Sequence, residues 1–215
     1  MPISTQDSIP ALLVRDVPRD LVMAVEEALT VGAQRAFIAS TGMDKGHLPH
    51  ALGQLRHFHM NESFHRALEI ASASPSPVKG NSIVTGRTGI FALARFNIPQ
   101  GIWVNGRRSR TRRQMSAANK AIEPLVIADL LDEYVTPSAA TAFFVACFSG
   151  SLIFQPDVPV SVQIAVPNRD MTGWLFREPL KDFLQRYEEI PTSQEDLVTP
   201  VLKKSKKKSD EGIEL

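Results

Sequence analysis

Cysteine is nearly missing from this chain: among its 215 residues only Cys147 carries a thiol. No disulfide can close within one molecule, which excludes a bridge-stapled secreted scaffold and fits a reducing compartment. Cys147 lies in the apolar run TAFFVACF, where a thiol behaves as a small buried hydrophobe. Long apolar runs are missing too, since no window reaches the ~18 uninterrupted apolar residues needed to span a bilayer. Residues 1–20, MPISTQDSIPALLVRDVPRD, have no basic segment followed by a long apolar stretch and do not read as a signal peptide. Together these absences predict a cytoplasmic protein with no membrane partner. Charge of one sign is scarce as well. The formal net charge is +1, so any strong positive feature has to be local. There is no internal repeat and no regular alternation of strand with helix, which argues against a doubly wound nucleotide-binding sheet.

Hydrophobic residues at 43% and charged residues at 22% are ordinary for a packed core. Residues 1–75 read as a helical region. Pro18 suits a helix start, Leu21, Val25, Ala28 and Leu29 recur at helical spacing, and Thr41-Gly42 makes a stop. HLPHALGQLRHF sets Leu48, Leu52 and Leu55 on one side. A further helix is expected from Asn61 as cap, with Phe64, Ala67, Leu68 and Ala71 inward. SASPSPVKG (72–80) breaks the pattern and marks a boundary. From 80 to 190 the pattern turns α+β, packed with the helices as one unit. IFALARF (90–96) and IWV (102–104) read as a hairpin around NIPQG, and residues 141–154 and 159–166 as two more strands. LVIADLLDEYV is expected to be helical, and an amphipathic helix should start near Pro179, with Leu180, Phe183, Leu184 and Tyr187 inward. Residues 191–215 are expected to form a flexible, disordered basic tail carrying Lys203, Lys204, Lys206, Lys207 and Lys208. The fold class is therefore α+β: N-terminal helices on an antiparallel sheet of two hairpins.

The strongest chemical signal is NGRRSRTRRQMSAANK (105–120), with arginine at 107, 108, 110, 112 and 113. Thr111 and Gln114 have capping-box spacing and predict a helix start there, with Met115, Ala118 and Ile122 buried and Arg113, Ala117 and Lys120 opposite. A helix N-terminus carries positive partial charge and ordinarily attracts carboxylates, so arginines there call for an anion from outside. Arginine offers forked contacts to phosphate that lysine lacks. Arg107, Arg108, Arg110, Arg112, Arg113 and Lys120 are thus the candidate contacts to a DNA or RNA backbone, in replication, regulation, or a mobile-element or defence setting. Trp103 and Phe96 are candidates for stacking on bases. The competing account is a solvated basic face or ion pairs within the chain.

All five histidines lie between 47 and 65. On a continuous helix His47, His50 and His57 would share one stripe, a candidate site for zinc or another divalent ion and the basis of a reading as a metal-dependent nuclease. No cysteine pair accompanies them, HExxH is absent, and Pro49 interrupts the stripe, so a polar helix face is the competing account. No cofactor is otherwise implied. GNSIVTGRT (80–88) has the wrong glycine spacing for a phosphate-binding P-loop and lacks its lysine.

Gln54-Leu55-Arg56-His57-Phe58 resembles the Q-L-x-x-F part of the peptides by which bacterial proteins dock on the replication sliding clamp. The likeness spans these five residues, and His57 stands where an aliphatic is customary. It implies a toxin-like or regulatory interaction module, not an enzyme, with Gln54, Leu55 and Phe58 as the contacts.

Overall fold

The computed structural model describes residues 8–126, 137–149 and 156–188. Its elements in order are α1 (Ile9–Asp16), α2 (Arg19–Ala39), α3 (Leu48–Ile70), β1 (Thr85–Thr88), β2 (Phe91–Pro99), a 3-10 segment (Trp103–Arg108), α4 (Arg110–Ser116), two further 3-10 turns (Ala117–Ala121, Glu123–Leu125), β3 (Ala140–Phe148), β4 (Ser161–Pro167), β5 (Trp174–Pro179) and α5 (Leu180–Gln185).

The α+β class holds, but the sheet is not a pair of antiparallel hairpins. It is one mixed sheet of five strands in the order β1-β2-β3-β4-β5. β2 runs parallel to β3, with Phe91 opposite Ala140 and Pro99 opposite Phe148, while the other neighbours are antiparallel. Parallel neighbours need a crossover, and residues 100–139 supply it. The hairpin expected from IFALARF and IWV is therefore wrong. The first stretch continues as a single strand to Pro99, and its antiparallel partner is the preceding TGRT. Trp103 and Val104 belong to a 3-10 turn. The error came from reading NIPQG as a hairpin loop when it opens the crossover. β3 is buried at all nine positions, as expected of a central strand covered on both faces.

The helices differ in one instructive respect. The break expected at Asn61 does not exist, and α3 runs unbroken through it. Asn61 is buried, and its side chain serves a buried arginine instead of capping a helix. α2 stops where expected, with Gly42 at φ +90° just beyond it. The helix expected from Pro179 is short, ending at Gln185, with Leu180 and Phe183 buried. The expected basic tail, and LVIADLLDEYV beyond Val126, lie outside the described residues.

The helices and the sheet share one core. Leu21, Val25 and Leu29 of α2 and Phe64 and Leu68 of α3 meet Phe91, Leu93, Phe144 and Ile164 on one face of the sheet. Ala73, within the expected boundary segment, is buried in the same cluster. A smaller cluster occupies the opposite face, where Ala94, Phe96, Phe143, Val145 and Met171 pack with Trp103, Met115 and Trp174. That second face carries the start of the crossover, and with it the arginines.

Candidate nucleic-acid interface

The crossover is pinned to the sheet by one buried side chain. Asn119 donates from Nδ2 to the carbonyls of Thr141 (3.0 Å) and Pro167 (2.7 Å), and its Oδ1 accepts from the Thr141 amide at 2.6 Å. Thr141 Oγ1 donates to the Met115 carbonyl at 2.8 Å. These bonds tie the end of α4 to the start of β3 and the end of β4. Gly106 lies close to Phe96, where an added Cβ would sit a tight 3.3 Å from the ring.

The cap of α4 is Ser109, not Thr111. Its side chain accepts from the Arg112 amide at 3.4 Å, and its carbonyl accepts from the Arg113 amide at 3.2 Å. The preceding 3-10 turn runs directly into α4, so the helix opens before Thr111 can cap it. The Arg113 bond is the first of the helix itself, so the Ser109 side chain occupies one otherwise unpaired first-turn amide, that of Arg112. What the site offers is side chains.

Arg107, Arg110 and Arg113 stand exposed at intervals of one turn and line a concavity of about 600 Å³, with Gln114 and Ala117 beneath. The opposite wall is the loop between β4 and β5, which contributes Arg169 and Asp170. Asn168 braces that loop: its Oδ1 accepts from the amides of Thr172 (2.8 Å) and Gly173 (3.2 Å), and its Nδ2 donates to Thr172 Oγ1 at 2.7 Å. Arg169 is partly neutralised, with Nε 3.5 Å from Asp170 and 3.9 Å from Glu123. Among the described residues Arg107, Arg110 and Arg113 form no ion pair with a carboxylate.

The remaining members of the cluster do not converge. Arg108 and Lys120 are exposed but do not line the concavity. The 3-10 turn from Ala117 breaks the face on which Lys120 was expected beside Arg113. Arg112 turns inward, its guanidinium 4.6 Å from the Phe96 ring centroid and its Nε donating to the Gly106 carbonyl at 2.9 Å. Desolvation lowers its pKa. Phe96 is correspondingly buried and unavailable to a base. Trp103 is only half-buried; it meets Trp174 edge to face at 4.8 Å, and the exposed Arg177 places its guanidinium 4.4 Å from the Trp103 ring centroid.

His47 and His50 are exposed at the start of α3, whereas His57 is half-buried, 3.3 Å from Asn61 Nδ2. Among the described residues no three His, Cys, Asp or Glu side chains group as a metal site. Gln54 and Phe58 are exposed one turn apart on α3, with Leu55 half-buried between them. No helix among the described residues is long and apolar enough to cross a membrane.

Sequence reading missed Arg169, Asn119 and Asn168. The turn-rich PNRDMTG signalled a loop, but nothing local showed which wall it would face. No family model, curated protein or solved structure matches the chain.

Proposed function

We propose that this protein binds nucleic acid, with the arginine-lined concavity receiving backbone phosphates. The observation that carries the reading is the convergence of Arg107, Arg110 and Arg113 from one wall and Arg169 from the other on a chain whose net charge is only +1. Each guanidinium presents a planar fork of donors that fits phosphate oxygens in two-point fashion. Among the described residues Asp170 is the one carboxylate in the lining, and it pairs with Arg169, leaving the other three cations for a ligand. Contacts of this kind hold a backbone and carry no base information by themselves.

The test is a mobility-shift titration of DNA and RNA oligonucleotides at low and moderate salt. The unmodified protein should shift them, with affinity falling steeply as salt rises. Replacing Arg107, Arg110 and Arg113 together by alanine should abolish the shift. Absence of any shift by the unmodified protein at low salt removes the reading.

A second reading draws on Gln54 and Phe58, both exposed on one face of α3, with Phe58 at 38%. There the chain docks on a replication clamp by way of this pair. A clamp pull-down that is unchanged by Gln54→Ala and Phe58→Ala ends it.

A further inference from the structure

We infer that the strand held by the arginine concavity is single, and that Trp103 and Trp174 stack on its bases. This rests on the concavity being a phosphate site and adds the kind of nucleic acid it takes. Neither tryptophan lines the concavity itself, but each lies within five residues of an arginine that does. Trp103 opens the 3-10 turn that carries Arg107, and Trp174 follows the loop that carries Arg169. Trp103 and Arg107 are one and a third turns apart, roughly 8 Å along a 3-10 axis, within the reach of a short oligonucleotide.

The two rings meet edge to face at 69°, a geometry that leaves neither indole fully stacked on its neighbour. Both tryptophans are half-buried, and Trp103 is flanked in the chain by Ile102 and Val104, which are 49% and 64% exposed. The guanidinium of Arg177 covers one face of Trp103 and is itself exposed, so on that side the planar cation carries the indole's stack outward to a base. Guanidinium planes stack on bases as aromatic rings do. A cationic groove beside an aromatic platform is the arrangement that binds single strands with little sequence preference, because every base has a π-face. In a duplex those faces are already covered by neighbouring base pairs, so a duplex can use the arginines but not the tryptophans.

The chain has two tryptophans, so fluorescence excited at the red edge of the indole band, where its two tyrosines do not absorb, reports on this pair alone. The full chain is titrated with a short oligothymidylate, with a duplex of equal length, and with inorganic polyphosphate, which carries phosphates and no bases. The expected result is saturable quenching by the oligothymidylate, weaker binding with little quenching by the duplex, and binding without quenching by polyphosphate. Trp103→Leu and Trp174→Leu should each weaken oligothymidylate binding about tenfold and leave polyphosphate binding unchanged, while Trp103→Phe keeps most of the affinity. Oligothymidylate that binds without quenching overturns the stacking and leaves the phosphate site standing. No binding of any of the three ligands overturns both. Should a leucine variant also lose polyphosphate, it has lost its fold, and the quenching of the unmodified protein decides.

Discussion

Asn61 Oδ1 accepts two hydrogen bonds from Arg95, one from Nε at 2.9 Å and one from Nη2 at 2.7 Å. Arg95 is 3% exposed and lies between β2 and α3, with its remaining donors on the His57 carbonyl (2.6 Å) and Asn97 Oδ1 (3.0 Å). These acceptors are neutral, so the guanidinium is held in the core by hydrogen bonds and not by an ion pair. Burial first, and the Arg112 charge second, lower its pKa. Asn61→Leu removes the principal acceptor and also the donor to the Ser82 carbonyl at 3.1 Å. It should cost about 3 kcal/mol in urea unfolding, the penalty of a buried charged donor left unpaired.

The same neighbourhood sets an acid sensitivity. His57 is half-buried, and desolvation, then the charge of Arg95, hold its pKa below the ordinary histidine value. The unfolded chain takes up a proton at about pH 6.5, where the folded chain still resists it. The unfolded state therefore binds more protons in that window, and stability should fall as pH drops below about 6.5. Asp16, whose pKa is lowered chiefly by Arg15, adds its own loss only below about pH 4. Unfolding midpoints measured from pH 7 to 5 should decline, and His57→Gln should flatten that decline.

Arg112 and Arg113 are adjacent in sequence and opposite in role. Arg113→Leu should leave the unfolding midpoint almost unchanged and reduce the slope of log affinity against log salt by about 0.7 for a single strand, the loss of one phosphate contact. Arg112→Leu should instead cost about 1 kcal/mol of stability, through loss of its contact with Phe96 and its bond to Gly106, with a smaller change in the salt slope. Equal slopes for the two variants would put Arg112 in the interface after all.

Asn119 should matter to binding without touching the ligand. Asn119→Ala strips the acceptor from the Thr141 amide and the donors from two buried carbonyls, a loss of about 3 kcal/mol. If it positions α4, polyphosphate affinity should fall in the folded variant, checked below its melting temperature by titration.

Gly89 sits at φ +48° in the turn joining β1 to β2, and an added Cβ would lie 2.4 Å from the Asp16 carboxyl carbon. That carboxylate accepts from the Ile90 amide at 3.1 Å and so anchors the turn to α1. Gly89→Ala combines a left-handed backbone with a direct clash, and thermal unfolding should register a loss of about 2 kcal/mol.

What the amino-acid order determined by itself was whatever depends on neighbours within a few turns. The apolar spacing of Leu21, Val25 and Leu29 made α2 legible, the run AFFVACF announced a strand, and the arginines of 107–113 declared a local positive charge. Tertiary structure decided the rest, because it depends on which distant groups share a face and which lose their water. Only the fold set β2 parallel to β3, laid Trp103 and Met115 on the second face, and brought Arg169 across from the β4–β5 loop. Asn61 looks like a cap, and Asn119 carries no local signal, until the buried donors and acceptors they satisfy come into view. The inward turn of Arg112 has the same origin: a planar cation and an aromatic ring attract only where packing brings them together, and no periodicity in the chain records that meeting.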